Sequence, residues 1–236
     1  MGKMPLKSIE IPDIYSDEGF AALSRAYTIA AHRRELWKVL RWKGIPLLQF
    51  ADDLAAWAEC VHESRAQAVV ETGAYNGGGL AFFSTIMAEV PGSVVVGVDI
   101  DTSAARRNLQ AAGIKGVVMI DGSSSTPAVL EAVRTACRGK RVMVVLDSDH
   151  SADHVEKELH LLCDLVSPGS FLVCMDGIIA DLADCPDHPA SMRSDNPETA
   201  IRKFLSVRKD FERDPGKNRF GKSQAPGGYL KRLGGE

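Results

Sequence analysis

The sequence predicts an α/β fold: a doubly wound, mostly parallel seven-stranded sheet of Rossmann-like type, with an antiparallel C-terminal edge strand and an N-terminal helical extension. Three observations predict it. Near-continuous apolar runs of strand length at 67–74, 93–100, 116–121, 141–147 and 170–176 alternate with segments of helical length and period, the pattern of a parallel sheet covered on both faces. These runs end in glycine-rich or acidic clusters, at the carboxyl strand ends where such sheets bind ligands. The tail sets 210-DFERD-214 and 229-YLKRL-233 around a Gly- and Pro-containing segment, which reads as a closing antiparallel pair at the sheet edge.

In chain order, residues 17–40 carry Phe20, Leu23, Ala26 and Ala30 at helical spacing, and a helix is expected there. Gly44 and Pro46 break the pattern in 42-WKGIPLLQF-50, and a second helix follows over 51–63. We read residues 1–60 as a helical extension packing on the sheet or on another subunit, and 61–236 as the main domain. Helices are expected at about 78–90, 102–113, 127–137 and 152–166 between the strands. Thr126-Pro127 and Asn196-Pro197 have the chemistry of helix starts, the latter opening a helix to about Val207, and Ser167-Pro168-Gly169 that of a stop.

Composition excludes several function classes. At 236 residues, 45% hydrophobic and 25% charged, the chain matches ordinary globular proteins rather than disordered ones. A net charge of -3 with scattered Lys and Arg gives no nucleic-acid or membrane-surface footprint. The five cysteines are odd in number and lack CxxC spacing, which suits a reducing compartment and offers no zinc framework. No signal peptide, myristoylation signal or 18-residue apolar run is visible, so the expected location is the cytoplasm.

The first strand ends in 71-ETGAYNGGGL-80. Tyr75 stands where the dinucleotide pattern GxGxxG has its second glycine. The remaining glycines still suit a tight turn onto a helix N-terminus, which attracts carboxylate or phosphate. The second strand ends in 97-GVDID-101, where Asp99 could hold a ribose diol, and the third ends in 121-DGSSST-126, which could line an adenine ring. The fourth, 142-VMVVLDSDHSADH-154, passes from five apolar residues into a crowd of carboxylates and imidazoles. Ser151 reads as a helix N-cap, which leaves Asp153 a structural role in the first turn. His154 and His160 fall on that helix, on a solvated or packed face.

Together with 42-WKGIPLLQ-49, 144-VVLDSDHSADHVEKEL-159 and 227-GGYLKR-232, these stretches resemble the cephalosporin hydroxylase family, whose members look like class I S-adenosylmethionine-dependent methyltransferases. The resemblance implies an O-methyltransferase of secondary metabolism, including antibiotic biosynthesis, that uses S-adenosylmethionine and, in many members, a divalent metal such as Mg²⁺. It implies that Glu71, Gly73 and Gly77 flank the methionine end of the cofactor, that Asp99 binds the ribose, that Gly122 and Ser123 lie near the adenine, and that Thr72, Tyr75 and Ile100 also belong to the cofactor site. Asp147, beside the cofactor, and Asp176 would be metal ligands, and His150 the general base. One position departs from the pattern. The family places two acidic residues, or an acid and an amide, after the fifth strand, whereas 174-CMDG-177 puts Met175 first; a thioether supplies no hard oxygen ligand.

Methyl transfer is a displacement on a sulfonium carbon, so the protein must position the reactants and help the acceptor hydroxyl lose its proton. Histidine has a suitable pKa for that, and Asp147 could orient His150 or hold a metal. The insert 184–195 with His188 is the candidate wall for acceptor recognition. The partners expected are a small-molecule acceptor, a natural product or glycoside, and a second copy of the chain in a homo-oligomer. Two alternatives stay open: a nicotinamide-dependent oxidoreductase, and a nucleoside-binding protein that has lost catalysis.

Overall fold

The structure is a computed structural model that describes residues 13–183, 185 and 188–234. The first twelve residues of the extension, and Asp184, Pro186 and Asp187 of the insert, lie outside the described residues. Helix α1 (Asp17–Arg33) is followed by a hairpin of two short strands, β1 (Arg41–Trp42) and β2 (Ile45–Pro46), and then α2 (Ala51–Ser64). The alternating section runs β3 (Ala68–Thr72), α3 (Gly78–Ile86), β4 (Val94–Asp99), α4 (Ser103–Ala111), β5 (Val117–Asp121), α5 (Pro127–Ala136), β6 (Val142–Leu146), α6 (Ala152–Leu162) and β7 (Phe171–Cys174). The chain closes with α7 (Ile179–Leu182), α8 (Pro197–Val207), β8 (Phe211–Arg213) and β9 (Tyr229–Arg232).

The seven strands of the main sheet lie in the order β5-β4-β3-β6-β7-β9-β8. Strands β3 to β7 are mutually parallel, and β9 runs antiparallel to both β7 and β8. Every residue of β3 and β6 is buried, which explains why those runs are apolar throughout instead of alternating. Their side chains feed two cores. Val69, Met143 and Val145 face Trp57 and Phe83, while Val70, Val144 and Leu146 face Val133, Leu159 and Phe204. Helix α2 is part of the first core, because Trp57 and Cys60 are fully buried in it.

The first expected helix is shorter than its apolar spacing suggests. Backbone bonds from Arg34 to Ala30 and from Glu35 to His32 close α1, and Glu35 enters the left-handed region at φ 57°. The break at 42-WKGIP-46 is the hairpin turn, where Lys43 and Gly44 both have positive φ, as its two-residue geometry requires. Ser151 occupies the N-cap of α6 without a side-chain bond. The Asp195 carboxylate accepts from the Ala152 N–H at 2.7 Å instead, because the insert after β7 folds back over this helix start. His160 packs edge-on against Phe204. Among the described residues, no helix is long and apolar enough to cross a membrane.

Candidate active site

Strand order turns around between β3 and β6, and their carboxyl ends open into a cavity of about 670 Å³, within the range of ordinary ligand sites. The turn after β3 passes so close to β6 that a Cβ on Gly73 would collide with the Asp147 carbonyl oxygen. Gly79, at the start of α3, leaves room for the Glu71 carboxyl in the same way. Glu71 is buried, and its Oε2 has no hydrogen-bond partner. Desolvation pushes its pKa from 4.5 up to about 8, so the floor of the cavity holds an acid whose ionised form a cationic partner would favour.

On the β4 side, Asp99 accepts from the Tyr75 N–H at 2.8 Å and so fixes the glycine turn, with Tyr75 itself at φ 43°. The Tyr75 and Ile100 side chains stand exposed at the cavity rim. Gly122 and Ser123 line the cavity after β5. Thr72 and Gly77 do not line it. The Thr72 side chain is buried against the Asp147 N–H, and Gly77 is the N-cap of α3, facing Ala105 and Leu109 of α4.

The end of β6 meets the end of β7 at a cluster of acids. Candidate ligand atoms of Asp147, His150 and Asp176 all lie within 4.8 Å of one another, and His150 Nε2 is 3.4 Å from Asp176 Oδ2. Burial, and then the neighbouring Asp176 and Glu71, push the Asp147 carboxyl well above its usual range. Two amides face this pair of acids: Gln49 Nε2 donates to Asp147 at 2.9 Å, and Gln224 Nε2 approaches Asp176 at 3.4 Å. Asp176 reaches the cluster through a left-handed backbone at φ 57°, an unusual conformation for a non-glycine residue.

Met175 is 1% exposed and belongs to the core packed around Val173 and Tyr229. The residue that departs from the family pattern therefore points away from the cluster. Among the described residues, no lysine or arginine lines the cavity beside Asp147 and Asp176. The two carboxylates offer the oxygen ligands that a hard divalent cation takes, and the His150 imidazole stands beside them.

Several residues here carry no site signal in the sequence. Gln49 enters from the segment before α2, and Gln224 is placed by a loop whose Ser223 hydroxyl and Gln224 N–H both donate to the buried Asp53. His32 and Trp37 line the outer end, with their rings stacked at 5.6 Å. His188 and Met192, by contrast, come from the insert read in the sequence as the acceptor wall, and they line the same end. His154, expected on a solvated or packed face, borders the cavity with Nε2 at 3.2 Å from both the Ser124 and the Ser148 hydroxyls. Only the i,i+4 spacing of His154 and Glu158 hinted at that cluster. Asp149 borders the cavity and accepts from the Ser151 N–H.

The sequence model of the family described as Rhamnosyl O-methyltransferase/CmcI matches residues 34–233. The rhamnosyl O-methyltransferase of Mycobacterium leprae is 30% identical over 204 residues, spanning 84% of this chain and 85% of that protein. Its counterpart from Mycobacterium tuberculosis is 29% identical over 205 residues, spanning 84% and 80%. A CmcI structure described as its Mg–SAM form shares the fold at a TM-score of 0.61 and 20% identity, covering 83% of this chain and 77% of that one. The chain belongs to the Rhamnosyl O-methyltransferase/CmcI family.

Proposed function

We propose that this protein transfers a methyl group from S-adenosylmethionine to a hydroxyl of a neutral small molecule or glycoside, with a divalent cation held at Asp147 and Asp176. The observation that carries the proposal is the meeting of His150 and the Asp147 and Asp176 carboxyls with the buried Glu71 and the strand-end Asp99 in one cavity. The relatives named as rhamnosyl O-methyltransferases support it.

When bound, S-adenosylmethionine supplies an electrophilic methyl group, and the cation lowers the pKa of the acceptor hydroxyl. The chain's own residues do the rest. Glu71 faces the positively charged methionine end, Asp99 accepts from the ribose hydroxyls, and Tyr75 and Ile100 cover the nucleoside. Gly122 and Ser123 border the base. His150 takes the acceptor proton, with Asp176 orienting the imidazole from 3.4 Å. A position in the core for Met175 leaves this machinery intact, which favours catalysis over a purely binding role.

The outer wall supports a neutral acceptor. It presents Trp37, Leu48, Ile179, Leu182 and Met192 and, among the described residues, no lysine or arginine, and burial pushes His32 below its ordinary pKa of 6.5. The Trp37 indole N–H is buried without a partner, a donor suited to a sugar or ring oxygen. A phosphorylated or nucleotide-linked acceptor would bring further negative charge beside Asp147 and Asp176 with no lysine or arginine among the lining residues to balance it. The exposed Phe20, Leu23 and Tyr27 of α1 support a homo-oligomer, and we keep the cytoplasm as the expected compartment.

Calorimetric titration with S-adenosylhomocysteine tests the core of the proposal, and absence of binding would overturn it. Activity that survives full chelation of divalent ions would remove the cation while leaving methyl transfer standing.

A further inference from the structure

Position 175 offers no oxygen to a cation between Asp147 and Asp176, because Met175 packs in the core. A polar side chain from the far end of the chain reaches Asp176 instead. The Gln224 amide, 48 positions later, stands with Nε2 3.4 Å from Asp176 Oδ1. Gln224 is 3% exposed, and its Oε1 has no hydrogen-bond partner.

The backbone of Gln224 is held from two sides. Its N–H and the Ser223 hydroxyl donate to the buried Asp53 of α2, which also accepts from the Tyr229 hydroxyl at 3.0 Å. Its carbonyl accepts from the N–H of Ile178, two residues beyond Asp176, at 3.2 Å. The two loops also press together, since a Cβ on Gly177 would stand 3.0 Å from the Pro226 carbonyl oxygen. Gln224 and Asp176 are therefore presented to the cavity as one fixed pair.

A contact of 3.4 Å is too long for a strong hydrogen bond, so little is lost when it is broken. Half a turn about the last side-chain torsion exchanges Nε2 and Oε1 and brings the amide oxygen toward the Asp176 carboxylate. Without an ion, that arrangement sets two acceptors against each other; with an ion, both become ligands. The turn leaves one amide group of Gln224 unpartnered, as one already is. Neighbouring oxygens on an octahedral Mg²⁺ ion, with bonds of about 2.1 Å, stand about 3 Å apart, so a shift of a few tenths of an ångström is enough. Gln49 is placed differently, because its Nε2 is engaged by Asp147 at 2.9 Å.

We propose that Gln224 is a ligand of the cation: its side-chain carbonyl oxygen joins Asp147 and Asp176 as a third protein oxygen, the one that Met175 does not supply. Hard divalent cations accept amide oxygens in this role. This inference rests on the reading that Asp147 and Asp176 hold a divalent cation.

The test uses Mn²⁺ on the full chain, without acceptor or turnover. Affinity is followed by the free-ion electron paramagnetic resonance signal, and the number of waters on the bound ion by water-proton relaxation. Gln224→Leu should bind Mn²⁺ about tenfold more weakly, and the bound ion should carry one more water than in wild type. Gln224→Asn keeps the amide but withdraws it by one methylene, so it should show the same extra water and decides the matter should Gln224→Leu fail to fold. Gln224→Glu keeps an oxygen at full reach and should hold the wild-type water number. A residue that only supports the loop would lower affinity without changing that number. Equal water numbers in wild type, Gln224→Leu and Gln224→Asn, or an extra water in Gln224→Glu as well, would overturn this role and leave the cation at Asp147 and Asp176 standing. Absence of Mn²⁺ binding to wild type would overturn both.

Discussion

The side-chain amide of Gln49 donates to Asp147 at 2.9 Å, across 98 positions of sequence. That bond favours the ionised form of a carboxyl that burial and Asp176 otherwise hold protonated. Gln49→Leu keeps the bulk and removes the donor. Its affinity for Mn²⁺, followed by loss of the free-ion electron paramagnetic resonance signal, should fall by about tenfold, with S-adenosylhomocysteine affinity unchanged. Equal Mn²⁺ affinity in both proteins would remove Gln49 from the cation site.

His150 and Asp99 should separate chemistry from binding. His150→Ala should lower kcat by about 10² to 10⁴ and leave S-adenosylhomocysteine affinity nearly intact. Asp99→Ala should weaken that affinity, since it removes both the acceptor proposed for the ribose and the bond that fixes the Tyr75 N–H. Parallel losses of affinity and turnover in His150→Ala would mark that residue as structural.

Restoring an acid at position 175 should not improve the cation site. Met175 lies in the core, so Met175→Glu would bury an unpaired carboxyl, and denaturant unfolding should show a loss of about 3 kcal/mol. Tighter Mn²⁺ binding by Met175→Glu would instead show that position 175 can reach the cluster.

The ligand-free protein should lose stability as pH rises. Glu71 has a folded pKa of about 8 against an ordinary 4.5, so the folded state keeps a proton that the unfolded chain gives up. Its contribution is full below about pH 4.5, declines across the interval and is gone above about pH 8. Glu71→Gln should flatten this part of the melting temperature against pH, and unchanged slopes would contradict the burial effect. Cation affinity should move the other way and rise with pH, because Asp147 must release its proton to bind an ion.

Gly73, which lines the cavity, is also a backbone requirement. At φ 79°, and with the Asp147 carbonyl where a Cβ would go, Gly73→Ala should cost several kcal/mol and yield little folded protein. A normal melting curve for that variant would show that the contact between β3 and β6 can relax.

The sheet was legible in the sequence because strand burial on both faces writes itself as continuous apolar runs. Val142–Leu146 and Ala68–Thr72 bury every residue for that reason. Asp99, Asp147, His150 and Asp176 were legible because ligand chemistry collects at carboxyl strand ends. Their grouping depends only on parallel order, which the alternation of strands and helices already encodes.

What the tertiary structure alone decided are the contacts between distant elements. Gln49 against Asp147, Gln224 against Asp176, and His32 with Trp37 at the outer wall join segments whose separations leave no periodic trace. The direction in which Met175 points is of the same kind. A residue just past a strand end keeps or leaves the strand's alternation according to its backbone angles, and the left-handed turn at Asp176 brings that acid to the cluster while Met175 remains in the core. The sequence by itself determined the fold and which polar side chains stand at the strand ends, because short-range pattern is enough for both. Which side chains complete the site was decided by packing, because that depends on how elements far apart in the chain are brought into contact.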